Sequence, residues 1–568
     1  MKRIALLAAL LALLSSPAFS AGRGSRFVCI ALHDIVDKQE DLDADAITSE
    51  RLIALFEFLR GNGWTAISLD DVEAAVKANR PLPNRAVLIT VDDGYRSVYT
   101  RVFPLLLAYR MPAVAAVVGS WIESDPSHKR YISWDQAREM QRSGLVEFAS
   151  HSYDLHHGIL ANPQGNELPA AGFRKYDPIL GYEQEAEYRL RIREDLARSA
   201  AVMRRELGKS PRALVWPYGR YTVASENVAF EAGFRFALTL DSEPADASKP
   251  MAIARYLVAR DFDFKNIAND LRSLNEPPSV QRLVRIDPST LWSADAPDFE
   301  SRLGRAIERV RTIGATSIII EAAASGADGA LSGAWFPTPN LAVRGDVFSR
   351  IAWQMHTRAG VEVFGRLPVG AALATLKDPE RVLALFRDFG ESAPIDGLLL
   401  EDVPQLIGIR TRAASEDETP WQVRKRRDAV EYSTLNPSDA LALRCFRVVE
   451  EERPRLSLAV LTADKTLTGP SSVADMTLIA ASSKPKEAAR LIERLKKVEG
   501  SPDFFPRRLG VWIEASSAPT SSDLIAVTRI FQRNGLSLIG WSDDMIGDNP
   551  PAASVARAVS ASSFPVRF

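Results

Sequence analysis

The residues best suited to chemistry follow two short apolar runs. Asp92 and Asp93 come directly after residues 86–91, and His151 and His156 follow residues 145–149. The chain has six histidines, and three of them fall within the seven residues 151–157 that follow the second run. Asp93, His151 and His156 supply three ligands suited to Zn, Ni, Co or Fe(II), with a fourth position left for water. Since a metal-bound water loses a proton near neutral pH, the pattern predicts a metal-dependent hydrolase.

Three further residues fit the same site. Asp92 is the candidate base that takes a proton from water. His33, at the end of the apolar run 27–32, is a candidate general acid for a leaving amine, with a carboxylate holding its ring. Tyr218 follows Trp216-Pro217, and its backbone N–H is a candidate donor to a tetrahedral oxyanion. His157 is a neighbour of the ligands. Each segment alone also suits an ordinary turn, so the prediction depends on their combination.

The elements that must position these residues alternate along the first half. Short apolar runs rich in Val, Ile and Phe are separated by stretches with helical periodicity, such as Leu52 to Leu59 with Thr48 or Ser49 as cap. This alternation predicts a parallel α/β sheet or barrel. Chemistry in such folds lies at the carboxyl ends of strands. The strands are predicted at 27–32, 65–69, 86–91, 113–118, 145–149, 213–215 and 235–240.

The second half repeats the alternation after a polar, proline-containing segment at 275–279. We therefore predict one domain at 21–274 and another at 275–568. Eight apolar runs in about 290 residues predict a (β/α)8 barrel for the second domain. They lie at 283–286, 317–320, 361–364, 397–400, 456–461, 476–480, 509–513 and 537–541.

Composition excludes several classes of protein. The 568 residues are 46% apolar and 25% charged, which argues against disorder and a polytopic membrane protein. The formal net charge of −2 gives no general attraction to nucleic acid, so a nucleic-acid partner is not expected. Two cysteines, Cys29 and Cys445, cannot form a disulfide framework, and both are predicted to be buried thiols.

The first twenty residues have the features of a cleavable signal peptide. Lys2 and Arg3 precede an apolar run of eleven residues from Ile4 to Leu14, and small residues precede Ala21. No cysteine follows this run directly, so no lipid-attachment site is expected. We predict an exported protein, located in the periplasm if the source is a Gram-negative bacterium.

The quoted segments resemble the motifs of the polysaccharide deacetylases of carbohydrate esterase family 4. Residues 90–94 (Thr-Val-Asp-Asp-Gly) are similar to the T-F-D-D motif, and residues 151–156 to the metal-binding histidine motif. Residues 216–219 resemble the third motif, without its usual preceding Arg. The catalytic histidine lies at the N-terminal end, as His33, instead of near the end of the domain. This permuted order, the length and the export signal resemble the poly-β-1,6-N-acetyl-D-glucosamine N-deacetylases of biofilm systems.

The resemblance implies a distorted, NodB-like (β/α)7 barrel for the first domain and a role for each matched residue. Asp92 matches the general base, His33 the general acid and Tyr218 the oxyanion-side residue. Asp93, His151 and His156 match the ligands of one divalent metal ion. Arg255 is matched, more weakly, to a residue that orients Asp92. The implied reaction is hydrolysis of some N-acetyl groups of the polymer during export, with an outer-membrane porin as a partner.

The second half resembles more loosely the C-terminal barrel of the same proteins, which binds the partly deacetylated glycan and in some members cleaves it. Carboxylates suit cationic glucosamine, and Trp335 or Trp541 are candidates for stacking on sugar faces. The run Leu400-Glu401-Asp402 departs from the family's His-Asp-Asp, which favours glycan binding over cleavage. The candidate glycan-binding residues are Asp287, Trp335, Asp346, Glu401, Asp402, Trp541, Asp543 and Asp544.

Two alternatives to this function stay open in the sequence. A deacetylase of peptidoglycan or of chitin-like chains would use the same chemistry, and only the substrate would differ. A non-catalytic glycan-binding protein with a relic metal site is the alternative of a different class. It is disfavoured because Asp92, Asp93, His151, His156 and His33 are all present.

Overall fold

The computed structural model describes eleven parts of the chain, in two compact units. The first unit comprises residues 1–153, 199–215 and 234–274, and the second comprises 154–198, 216–233 and 275–568. The predicted signal peptide (1–20) and hinge (275–279) lie outside the described residues, so the domain boundaries at 21 and 275 stay predictions. The described residues are 26–38, 45–77, 80–241, 245–259, 280–326, 329–409, 420–463, 470–499, 505, 508–514 and 520–544.

The first unit is built on a nine-stranded sheet that forms a half-barrel. Seven strands lie in the order β7-β6-β5-β4-β3-β1-β8, β9 pairs with β1, and β2 pairs with β3. All pairings are parallel except that of β1 with β8. The strands are β1 (Arg26–Leu32), β2 (Thr65–Ala66), β3 (Ala86–Val91), β4 (Ala113–Val117), β5 (Val146–Ser150), β6 (Ala213–Val215), β7 (Phe236–Leu238), β8 (Ala245–Asp246) and β9 (Tyr256–Leu257).

Helices cover the sheet because their apolar residues recur on one face. In helix α1 (Ser49–Gly61) the buried residues Leu52, Leu55, Phe56 and Leu59 have this spacing, and the Thr48 side chain caps its start. The other helices of the N-terminal half are α2 (Leu69–Lys77), α3 (Phe103–Tyr109), α4 (Gly119–Ser124), α5 (Trp134–Arg142), α6 (Glu185–Leu207) and α7 (Val223–Glu231).

Short hairpins and turns occupy the connections of this half. Two antiparallel hairpins are formed by Gly158–Leu160 with Glu167–Pro169, and by Tyr176–Asp177 with Gly181–Tyr182. Ile35–Val36 pairs in parallel with Ile47–Thr48. A π-helical turn spans Val98–Val102, and a 3-10 turn spans Pro217–Gly219.

The second unit contains a closed barrel of eight parallel strands. All eight strands fall on the predicted apolar runs, so the predicted (β/α)8 barrel is confirmed. Buried aliphatic side chains such as Leu283, Ile319 and Leu399 fill its interior. The strands are β10 (Gln281–Ile286), β11 (Ser317–Glu321), β12 (Glu362–Arg366), β13 (Gly397–Glu401), β14 (Ser457–Thr462), β15 (Met476–Ala481), β16 (Leu509–Ile513) and β17 (Leu538–Asp544).

Helices surround this barrel and bury an extensive apolar layer against it. They are α8 (Pro288–Leu291), α9 (Ala296–Ile313), α10 (Phe348–Gln354), α11 (Val369–Leu376), α12 (Pro379–Ser392), α13 (Pro404–Gly408), α14 (Pro420–Asp428), α15 (Pro437–Glu452), α16 (Pro485–Glu499) and α17 (Ser521–Arg533). Within the described ranges, no helix is long and apolar enough to cross a membrane.

Candidate active site

Asp92 is a buried carboxylate fixed by a buried guanidinium. Nη1 of Arg255 donates to both carboxylate oxygens of Asp92 at 2.8 Å, and both side chains are 1% exposed. Arg255 also donates to Thr90 Oγ1 at 2.9 Å and to the carbonyl of Thr239 at 3.1 Å. The guanidinium of Arg255 thus reaches all these acceptors at once and holds the Asp92 carboxylate in place, while its orienting role in catalysis stays a prediction.

Asp93 and His151 face each other across the ends of β3 and β5. Oδ1 of Asp93 lies 3.4 Å from Nε2 of His151, and both residues are buried. His151 uses its other nitrogen, Nδ1, in a 2.7 Å hydrogen bond to the carbonyl of Val215. Because a carbonyl only accepts, Nδ1 carries a proton, and Nε2 is the ring nitrogen that faces Asp93.

A cation would stabilise the pair formed by Asp93 and His151. A carboxylate oxygen and an imidazole nitrogen 3.4 Å apart both attract positive charge, which either a proton or a metal ion can supply. Burial, the largest influence, lowers the pKa of His151, but the carboxylates of Asp93 and Asp92 together raise it above its usual value. The chemistry of this donor pair therefore fits a divalent metal.

His33 lies beside the candidate base. Its Nε2 is 3.8 Å from Oδ2 of Asp92, beyond hydrogen-bond distance but close enough for both to act on one substrate group. The carboxylate next to it in sequence, Asp34, does not hold its ring. Asp34 accepts hydrogen bonds from Ser97 Oγ at 2.6 Å and from the backbone N–H of Ile35 at 2.8 Å. The expected carboxylate support for the His33 ring is therefore not supplied by Asp34.

His156 and Tyr218 lie together. Their ring centroids are 4.3 Å apart, and the Tyr218 hydroxyl is 3.5 Å from the carbonyl of His156. Tyr218 has a φ of 56°, in the left-handed region, within the turn Pro217–Gly219, and its side chain is 46% exposed. Asp93 and Ser152 also have positive φ, both at 71°. Backbone strain at three positions next to the candidate ligands is typical of a functional site.

One group of side chains could hold a metal ion. One ligand atom each from Asp93, His151 and His156 lies within 4.8 Å of the others, and no other such group occurs among the described residues. It is the set predicted from the sequence.

In the barrel, arginines neutralise the carboxylates at the strand ends. Arg366 donates to Glu401 through Nε at 3.0 Å and Nη2 at 2.6 Å, and to Glu321 through Nη1 at 2.6 Å. Arg285 donates to the other oxygen of Glu321 at 2.6 Å. A glycan that contacts Glu401, as predicted, would therefore compete with Arg366 for this carboxylate.

The prediction that Trp335 and Trp541 stack on sugars is wrong. Their side chains are 1% and 0% exposed and pack in the apolar layer between strands and helices. A ring without an exposed face cannot receive a sugar. Both tryptophans stabilise the barrel core instead, because burying a side chain of this size removes a large apolar area from water.

The remaining barrel candidates have varied surroundings. Asp287 caps α8 by accepting from the backbone N–H of Ser289 at 2.9 Å, and Asp402 is exposed with a φ of 54°. Asp346 accepts a very short hydrogen bond from the Tyr182 hydroxyl, and burial raises its pKa to about 6. Asp543 and Asp544 end β17, but their side chains lie outside the described residues. Their glycan contacts stay predictions.

Sequence reasoning missed the supporting contacts of the site. The carbonyl of Val215 that orients His151 leaves no trace in residue type, because any residue supplies a carbonyl. Thr90 lies in the motif at residues 90–94, but the sequence did not show that its hydroxyl accepts a hydrogen bond from Arg255. Arg366 follows a predicted strand, as the candidate acidic residues do. A basic residue at that position is the sequence signal that could have identified it.

Family comparisons agree with this geometry. Residues 79–237 match the model of the polysaccharide deacetylase family, and residues 285–380 match that of hypothetical glycosyl hydrolase family 13. The matched segment carries Asp92, Asp93, His151 and His156, so the resemblance inferred from these motifs is confirmed for residues 79–237.

The more particular likeness is to curated proteins named poly-beta-1,6-N-acetyl-D-glucosamine N-deacetylase. The one from Escherichia coli (strain K12) is 35% identical over 357 residues, 60% of this chain and 53% of that protein. The one from Staphylococcus aureus (strain N315) is 26% identical over 187 residues, 33% of this chain and 58% of that protein. The chain therefore spans about half the length of the curated relatives it matches.

Solved structures include similar domains. The deacetylase domain of BpsB from Bordetella bronchiseptica is 41% identical, and the match covers 41% of this chain and 96% of that one with a TM-score of 0.37. A de-N-acetylase from Aggregatibacter actinomycetemcomitans is 33% identical, with 43% and 99% coverage and a TM-score of 0.41.

Proposed function

We propose that this chain is a metal-dependent N-deacetylase that hydrolyses N-acetyl groups of poly-β-1,6-N-acetyl-D-glucosamine. The observation that carries the proposal is the joint presence of a fixed buried base, Asp92, and the Asp93–His151 pair beside it. The 35% identity to a relative of that name favours this glycan over peptidoglycan or chitin-like chains.

The roles follow from the positions of the side chains. Asp93, His151 and His156 would hold one divalent ion, which when bound would polarise the amide carbonyl and acidify a water molecule. Asp92 takes the proton of the attacking water, and Arg255 keeps its carboxylate in place. His33 donates a proton to the nitrogen that leaves when the amide C–N bond breaks, so acetate and a free amine result. Tyr218 lies beside His156 and, through its backbone N–H, is the proposed donor to the oxyanion.

The barrel is proposed to bind the partly deacetylated glycan. Support comes from the glycosyl hydrolase family match and from the carboxyl groups at the strand ends, such as Asp287 and Asp402. Since Glu321 and Glu401 are both paired with Arg366, no free acid pair of the kind that cleaves glycosides is formed by these two residues. Binding without cleavage is thus our proposal for the barrel.

We also propose that the protein acts outside the cytoplasm. Support comes from the signal-peptide features of residues 1–20, which predict export to the periplasm. An outer-membrane porin that exports the polymer is the proposed partner, an inference from the resemblance.

The test is acetate release from poly-β-1,6-N-acetylglucosamine oligosaccharides by the chain lacking residues 1–20. The wild type, loaded with Zn, Ni, Co or Fe(II) and after chelation, is compared with His151→Ala and His157→Ala. His157 is exposed on the same loop and is the matched control. We expect release that needs both metal and His151 and is unaffected by His157→Ala. Bound polymer without any acetate release by the metal-loaded wild type would favour the glycan-binding alternative.

A further inference from the structure

Three aromatic side chains form a continuous cluster next to the candidate metal site, which we call the aromatic wall: Tyr95, Trp121 and Tyr131. The ring centroids of Tyr95 and Tyr131 are 5.6 Å apart and nearly parallel, and those of Trp121 and Tyr131 are 5.4 Å apart. Tyr131 is buried, whereas Tyr95 and Trp121 are half-buried residues that pack on the apolar core.

One end of the aromatic wall is fixed to the Asp92-Asp93 loop. The backbone N–H of Ile132 donates to the carbonyl of Gly94 at 2.9 Å, and that of Arg96 donates to the carbonyl of Arg130 at 2.8 Å. Asp125 stabilises the segment that carries Arg130 and Tyr131 by accepting hydrogen bonds from their backbone N–H groups, at 2.8 and 3.0 Å. Tyr95 and Tyr131 therefore keep a set position relative to the candidate base and ligand.

The other end is fixed to the loop of His151. The first two residues of α4 donate backbone hydrogen bonds to that loop, Gly119 to the carbonyl of Ser152 at 3.2 Å and Ser120 to the carbonyl of Tyr153 at 2.8 Å. Trp121 is the next residue of the helix. The wall thus connects the two loops that carry Asp93 and His151.

A cation lies over the wall. The exposed Arg130 guanidinium is 5.8 Å from the ring centroid of Tyr95 and 5.5 Å from that of Tyr131, a distance typical of cation–π contacts. Tyr95 follows Gly94 directly, so the wall begins two residues from the candidate ligand Asp93.

We propose that the aromatic wall and Arg130 form a subsite for the sugar next to the one being deacetylated, and that Arg130 makes this subsite prefer N-acetylglucosamine over glucosamine. The inference rests on the proposed function of the same site. Apolar sugar faces pack on exposed aromatic rings, and Tyr95 and Trp121 offer such surfaces. The guanidinium repels the ammonium of a deacetylated neighbour but not a neutral acetamide. The subsite would thereby limit how closely deacetylated units follow one another.

The packing part is tested with Trp121→Ala and the control Trp134→Ala. Trp134 is half-buried on the same apolar cluster, at the start of α5. Binding of a fully acetylated pentasaccharide is measured by calorimetry in the Asp92→Asn background, and KM and kcat in the active background. We expect a loss of affinity of about five- to ten-fold for Trp121→Ala alone, seen as a higher KM with little change in kcat. Deacetylation of a chromogenic glycoside of a single N-acetylglucosamine should be the same in Trp121→Ala and the wild type.

The charge part is tested with Arg130→Gln and the control Lys129→Gln, which removes an exposed positive charge from the same loop. Two pentasaccharides are compared, one fully acetylated and one with glucosamine beside the target unit. Arg130→Gln should reduce the preference for the acetylated one by about three- to five-fold at low salt, and by less at high salt. Lys129→Gln should leave the preference unchanged.

The outcomes separate this inference from the proposed function. If the wild type releases no acetate, the proposed function fails, while calorimetry still reports on the subsite. If the wild type is active but Trp121→Ala binds the pentasaccharide as tightly as Trp134→Ala, the subsite is disproved. Equal preferences in Arg130→Gln and Lys129→Gln would disprove the role of Arg130.

Discussion

Arg255 and Asp92 form a buried ion pair in which one guanidinium nitrogen, Nη1, contacts both carboxylate oxygens at 2.8 Å. The pair joins the end of β3 to the segment before β9, residues 163 positions apart in the chain. It fixes the carboxylate that we propose as the base, and a base works only if its oxygen is held at the water it deprotonates.

Replacing Arg255 should therefore damage activity and stability by different amounts in different variants. Arg255→Met leaves the buried Asp92 charge unpaired and should cost about 3–5 kcal/mol of unfolding free energy. Arg255→Lys keeps the charge but cannot reach all the acceptors, so we expect a smaller stability loss and a fall in kcat of roughly ten-fold or more. Denaturant unfolding and acetate release measure the two effects. Wild-type kcat in Arg255→Lys would contradict the orienting role.

Asp92→Asn separates the base from the metal ligands. The amide has nearly the same shape but does not accept a proton, so turnover should fall by roughly 10²–10⁴-fold. The Asp93–His151 pair is untouched, so metal content after dialysis, measured by mass spectrometry, should equal that of the wild type. Equal activity of the variant and wild type would rule out Asp92 as the base, whereas loss of metal would assign it to the ligand set.

The fold was largely predictable because strands buried on both faces leave continuous apolar runs. The runs 86–91, 213–215 and 509–513 match their strands residue for residue. The Asp92–Asp93 and His151 positions were also predictable, since parallel strands bring their carboxyl ends to one edge. The runs do not encode curvature, so they left a sheet and a barrel open for the first half. Only the family resemblance implied a distorted (β/α)7 barrel, and the structure has a nine-stranded half-barrel sheet.

Side-chain direction and distant partners could not be predicted. Trp335 and Trp541 lie near strand ends, where a ring can face the core or the solvent, and residue type does not decide between them. Asp346 was proposed as a glycan contact, but its partner Tyr182 is 164 positions away. Only the folded structure shows that this carboxylate is already engaged.

The half-buried Asp346 predicts a pH-dependent stability. Burial raises its pKa to about 6, while the hydrogen bond from Tyr182 acts in the opposite direction. The Asp346 carboxyl thus binds a proton more tightly in the folded state than in the unfolded state. The stability that the protonated carboxyl contributes is lost as the pH rises from about 4 to about 6. Asp346→Asn should remove about 1–3 kcal/mol of this pH dependence.

Thermal unfolding of the wild type, Asp346→Asn and the control Glu308→Gln at pH 4 and pH 7 provides the measurement. Glu308 is an exposed carboxyl on α9 and should leave the pH profile unchanged. The change of Tm between pH 4 and pH 7 should differ more between the wild type and Asp346→Asn than between the wild type and Glu308→Gln. Parallel profiles for these two proteins would show that Asp346 titrates normally in the folded state.

In the ion-pair network of the barrel, Arg366 neutralises both Glu321 and Glu401. If Glu401 contributes to binding cationic glucosamine, as predicted from the sequence, Arg366 competes with the ligand. Arg366→Gln should then raise the affinity for glucosamine-containing oligosaccharides by a few-fold at low salt and lower Tm, because two carboxylates lose their partner. Arg366→Lys, which keeps the charge, should show a smaller effect of each kind.

Calorimetric titration at two salt concentrations, with Glu401→Gln as the complementary variant, distinguishes the cases. Lower affinity in Glu401→Gln together with higher affinity in Arg366→Gln would support a glycan contact at Glu401. Unchanged affinity in both variants, with only Tm reduced, would show that the network stabilises the barrel and takes no part in binding. In that case the glycan contacts of the barrel must come from other residues, of which Asp402 is exposed at the end of the same strand.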